Sequence, residues 1–159
     1  MPTHTAKSLF DQNIQSAKDS LALYDAIVSL QPHGVDINWV LRSAVVFTVS
    51  ALDTYFHDKV KYRVGRYDLG NLPPALAKFE IEVKNLAHAL KLAGIDAVWD
   101  TIEPDRSNKD NLLRELDLLV KRRNQISHEG DRMTSRRSGK ALRSIGRTDV
   151  ERWIAFVEN

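Results

Sequence analysis

The sequence predicts an all-α fold, a compact bundle of four to five main helices. Three observations predict it. Apolar residues recur with a 3.6-residue period in several long segments, those segments are bounded by capping residues or by Pro and Gly, and no alternating strand or hairpin signal has comparable strength. With 159 residues, 43% of them hydrophobic, the chain has the usual size for one core, so residues 1–159 are expected to form a single domain.

A first helix is expected from about Thr5 to Leu30, where Leu9, Ile14, Ala17, Leu21, Tyr24 and Val28 make one apolar face. Pro32, His33 and Gly34 break it, and Asp36 can cap a second helix running through Trp39, Val46, Phe47, Phe56 and Val60. This segment is apolar over much of its circumference between Val40 and Val49, which marks it as the central, most buried helix. Gly65, Gly70 and Pro73-Pro74 then give a loop and the start of a third helix that stops at Gly94. A short turn over Asp96 to Ile102 precedes Pro104. Capping oxygens in Ser107-Asn108-Lys109-Asp110 open a fourth helix through Leu112, Leu116, Leu119 and Ile126 to about His128, ended by Gly130. Thr148 and Glu151 have capping-box spacing and begin a last short helix with Trp153, Ile154 and Phe156.

Composition narrows the chemistry. Without cysteine there is no disulfide, thiolate metal site or cysteine nucleophile, which fits a reducing compartment. The longest apolar stretches, such as Ala44 to Ser50, fall far short of the roughly 20 residues that span a bilayer. Met1 to Lys7 lacks a charged start followed by an apolar run, so a cytoplasmic protein with no membrane association is expected. The net charge of +2 hides an asymmetry, since Arg132 to Arg147 holds six Lys or Arg and no Asp or Glu. His4, His33 and His88 are scattered over different segments, so neither a metal site nor a cofactor is expected.

The fourth helix carries the chemistry. Continuing the apolar seam from Leu112, Leu116 and Leu119 places Arg123 where an apolar residue belongs, followed by Ile126. An unpaired buried guanidinium costs several kcal/mol, so this arginine must snorkel, meet a carboxylate, or face a cleft or partner chain. A parallel polar ridge runs Asp117, Lys121, Asn124, His128 and Asp131, with Asn124 one turn from His128 and able to orient its imidazole. Arg123 and His128 stand about 140° apart on an ideal helix. Either the arginine curls over toward the His, or the helix ends irregularly near Gly130, or two copies complete one another across a dimer seam. The last is preferred, because it also accounts for an arginine in the apolar seam.

The string from Lys121 to Asp131, Lys-Arg-Arg-Asn-Gln-Ile-Ser-His-Glu-Gly-Asp, resembles the signature of HEPN domains. In that signature an Arg, a following polar residue and a His four to six positions on make a ribonuclease site. Val49 to Asp58 on helix two is similar to the HEPN branch labelled RiboL-PSP, which is associated with toxin and antiviral conflict systems. The likeness runs from about Leu9 to the C-terminus. Arg122 also satisfies the spacing, but Arg123 is preferred because Asn124 follows it.

The resemblance implies a metal-independent endoribonuclease acting on RNA as a homodimer, with an antitoxin or other conflict-system protein as a further partner. The residue types suit that chemistry. Attack of a ribose 2′-OH on the adjacent phosphate needs a group titrating near neutrality, which an imidazole supplies, and a guanidinium stabilises charge spread over phosphate oxygens. His128 and Arg123 take those roles, with Asn124 orienting the imidazole or binding a phosphate oxygen. Lys121, Arg122, Arg132, Arg136 and Arg137 are candidate RNA contacts, with Lys140, Arg143 and Arg147 in the same basic loop of about 131–147. Asp53 and His57, one turn apart on helix two, are secondary site residues, and a structural hydrogen bond is the more frequent use of such a pair. Tyr62 and Tyr67 flank Arg63 and Arg66 in a mix able to stack bases, although packing at the core edge is expected. Two alternatives stand beside the nuclease: a non-catalytic module binding RNA, nucleotide or protein through the same groove, and a dimerisation module in which Arg123 makes a structural salt bridge.

Overall fold

The structure, a computed structural model, describes residues 6–30, 33–64, 98–132 and 142–159. Among the described residues the regular structure is helical, apart from one isolated antiparallel bridge, Arg132 with Leu142. The described helices are α1 (Ala6–Ser29), α2 (Asn38–Val64), α3 (Val98–Ile102), α4 (Arg106–Glu129) and α5 (Arg147–Glu158). The helix expected between Pro73 and Ala93 lies outside the described residues.

Where each helix starts follows local hydrogen bonding. The Asp36 carboxylate accepts the Asn38 amide at 3.0 Å just ahead of α2, as the sequence implied. For α4 the cap is Asp105, not the Ser107 to Asp110 stretch. Asp105 is extended (φ −74°, ψ 124°) directly after Pro104, so its carboxylate is the first in position to accept a helical amide, that of Asn108 at 3.0 Å. The Thr148–Glu151 capping box does not form. Helix α5 begins two residues earlier than that box requires, after Gly146, and the Glu151 carboxylate is taken by Arg147 at 2.5 Å.

The core joins four helices. Ile14, Ala17 and Leu21 of α1 meet Leu41, Ala44, Val45, Val49 and Ala51 of α2, Leu116, Leu119 and Val120 of α4, and Val150 and Ile154 of α5. Helix α2 is central, touching α1, α4 and α5. It is not buried all round, because Trp39 and Phe47 are exposed on its outer side. Tyr62 is 67% exposed rather than packed at the core edge, since it stands about 200° around the helix from buried Val60.

Ion pairs set the direction of α5. Arg147 at its start grips Asp25 near the end of α1 with two bonds (2.8 and 3.0 Å), and Glu158 at its end meets Lys18 at 2.5 Å, so α5 runs antiparallel to α1. The Arg147 hydrogen bond holds the Asp25 carboxyl below its ordinary value. A depressed folded-state pKa adds stability that is fully present above the unfolded carboxylate value, near 3.9, and disappears as pH falls through the lower folded value. Asp25→Asn is therefore expected to lower the melting temperature slightly at pH 7 and to match the parent at the acid end of a pH series of thermal melts. The pair is solvent-exposed, which keeps the effect small.

Candidate active site

Helix α4 brings the motif to one end of the bundle. Leu116, Leu119 and Val120 are buried on its core side, and Arg123 follows on that same side, half-buried, with Ile126 one turn beyond it packed against the core. Asp117, Lys121 and His128 are exposed and Asn124 is half-buried, so the polar ridge exists as far as His128.

The helix stays regular through Glu129, so no bend reunites Arg123 with His128. Among the described residues no hydrogen bond joins Arg123, Asn124 and His128, and Arg123 makes no ion pair. Within one chain the guanidinium lies on the core-facing side and the imidazole points to solvent, about 140° round the helix. Next to this end of α4, Arg42, Ser43, Val46, Phe47 and Ile126 line a groove of about 200 Å³. That is smaller than the usual small-molecule pocket of about 300–1,000 Å³.

The arginine with a structural ion pair is Arg122. Gly130 (φ 61°) and Asp131 (φ 57°) are both left-handed, and their reversal is closed by the Asp131 amide donating to Gln125 O at 2.9 Å. Asp131 thus leaves the ridge and turns inward, where it is 1% exposed. Arg122 holds its carboxylate with two bonds (2.6 and 3.0 Å), and Arg42 of α2 adds a third through Nε at 2.5 Å. The same guanidiniums donate to backbone carbonyls near the far end of the basic segment: Arg42 to Arg143 O at 3.1 Å and Arg122 to Ser144 O at 3.0 Å. Asp36 reaches Arg42 more distantly, at 3.5 Å. Burial, with repulsion from Arg42 and Arg143, pushes Arg122 below its ordinary pKa against the pull of Asp131, yet a guanidinium stays charged throughout the working pH range.

Sequence reasoning missed Arg42 and the inward role of Asp131. The signal for Arg42 was the one used for Arg123: a charge inside an apolar helical run, which needs a counterion. Asp131 was hidden because the ridge was extended past the helix end. Asp53 and His57 are both half-buried on α2, but Arg42 is the α2 residue that reaches the end of α4. Asp53 lies eleven residues, about 16 Å, further along.

Of the basic residues, Arg132 is exposed and bends back over the helix end, with Nε 4.0 Å from where a Gly130 Cβ would stand. Arg143 is half-buried, and Arg147 is committed to Asp25 and Glu151. Arg136, Arg137 and Lys140 lie outside the described residues, as do Tyr67, Arg66, His4 and His88, and the side chain of Arg63. Among the described residues no cluster of His, Asp or Glu is arranged to hold a metal ion, and no helix is long and apolar enough to cross a membrane.

Comparison with known proteins assigns the fold. No curated protein and no solved structure matches the chain. The family model described as RiboL-PSP-HEPN matches residues 12–159, nearly the whole chain and all of α2, α4 and α5. On that match, the chain belongs to the RiboL-PSP-HEPN family.

Proposed function

We propose that this HEPN protein is a metal-independent endoribonuclease of the toxin or antiviral conflict-system type. The observation that carries the reading is the Arg-Asn-x-x-x-His string of a RiboL-PSP-HEPN chain at the solvent-reachable end of α4, with Arg123 outside the ion-pair cluster that occupies its neighbour Arg122. In the reaction the ribose O2′ loses its proton and bonds to phosphorus while the P–O5′ bond breaks and O5′ takes a proton. The products are a 2′,3′-cyclic phosphate and a 5′-hydroxyl. His128 moves the protons, Arg123 binds the phosphate oxygens as they gain charge, and Asn124 orients the imidazole. Lys121 and Arg132, both exposed, extend the contact along the RNA backbone.

The separation of Arg123 and His128 in one chain supports a homodimer in which each site draws its guanidinium from one protomer and its imidazole from the other. Trp39 and Phe47, exposed on α2 beside the groove, supply apolar surface for such a contact. The test is incubation of end-labelled single-stranded RNA with the purified protein in excess chelator. Cleavage leaving 2′,3′-cyclic phosphate ends is expected, and a requirement for added divalent metal contradicts the mechanism. The same separation favours, as a second reading, a non-catalytic module. Its signature is intact RNA together with slowed amide exchange in α4 when RNA or nucleotide is added.

A further inference from the structure

We propose that Asp131 is a positioning residue that fixes both arms of the basic segment, at Arg132 and at Arg143–Ser144, against the end of the motif helix. The proposal rests on the RNA reading above, because it assigns those arms the task of presenting phosphate contacts beside His128. Three features of the cluster converge on Asp131. Its carboxylate gathers Arg42 and Arg122, whose remaining N–H groups hold the carbonyls of Arg143 and Ser144. Its own carbonyl accepts the Arg143 amide at 2.8 Å, beside the Arg132–Leu142 bridge. Its left-handed backbone, directly after the Gly130 cap of α4, sends Arg132 back over Gly130.

A purely stabilising cluster and a positioning one make opposite forecasts for RNA affinity. Asp131→Asn keeps a side chain that tolerates the left-handed conformation and removes one negative charge. If charge alone mattered, the variant would bind a polyanion more tightly. Loss of the positioned arms instead weakens binding, because phosphate contacts made by a splayed segment carry an added ordering cost.

The experiment measures the affinity of Asp131→Asn and Arg42→Lys for a fully 2′-O-methylated single-stranded RNA, which cannot be cut, with hydrogen exchange on the same samples. Arg42→Lys retains the charge and loses the planar fork, so it carries the test if Asp131→Asn fails to fold. Expected are a roughly tenfold rise in Kd for each folded variant, corresponding to about 1.4 kcal/mol, and faster exchange of the Arg143 amide with that of Val45 in the core unchanged. Affinity that is unchanged or tighter overturns the positioning role, and an unaltered Arg143 amide overturns the clamp. Failure of the parent protein to bind or cut any RNA instead removes the ribonuclease reading and the RNA task with it, while the exchange result still decides whether Asp131 holds the arms.

Discussion

His128→Ala is expected to reduce RNA cleavage by about 10²- to 10⁴-fold, the range that a positioned acid–base group contributes, while leaving the melting temperature within a degree or two of the parent. The imidazole is exposed and has no hydrogen-bond partner among the described residues, so its removal opens no cavity and strands no buried group. Initial rates on a labelled RNA, with a thermal melt of the same preparation, check both halves. Arg123→Ala should also lose far more cleavage than stability, because the half-buried guanidinium makes no ion pair among the described residues and its removal strands no buried partner. A melting temperature that collapses in either variant would assign these residues to the fold instead of the reaction.

The neighbouring arginine cluster gives the inverse result. Asp131→Ala is expected to destabilise the protein by about 3–5 kcal/mol, the usual consequence of leaving buried charge without its partner. Arg42 and Arg122, only 11% and 12% exposed at the side chain, would face each other with no carboxylate between them. Alanine is also poorly suited to a φ of 57°, which adds about 1–2 kcal/mol of backbone strain. Urea unfolding compared at 25 °C measures the sum, and a difference below about 1 kcal/mol would show that the cluster is solvated rather than structural. The two adjacent arginines are thus expected to separate by experiment, Arg122→Ala through lost stability and Arg123→Ala through lost cleavage.

Much of the fold was legible because it depends on short-range chemistry. The 3.6-residue spacing of Leu112, Leu116 and Leu119, and Gly130 at the stop, placed α4 correctly, and the density of apolar residues from Val40 to Val49 identified the central helix. Helix starts were less legible, since Asp105 and the Thr148 region each offer several competing acceptors within a turn. The motif helix could be found from the misplaced Arg123. The Arg42–Asp131–Arg122 cluster could not, because its members are 89 and 9 residues apart and meet only when α2 lies against the end of α4. Extending a helical ridge by two residues beyond Glu129 also turns Asp131 outward on paper, whereas two left-handed residues in succession turn it into the core.

If Arg123 of one protomer works with His128 of the other, two inactive variants should restore activity when mixed. When Arg123→Ala and His128→Ala are denatured together in equal amounts and refolded, half of the dimers should be mixed, each holding one site with both native groups. Cleavage is then expected to return to roughly a quarter of the parent rate. A mixture as inactive as its two components, although mass measurements show mixed dimers, would contradict the shared site.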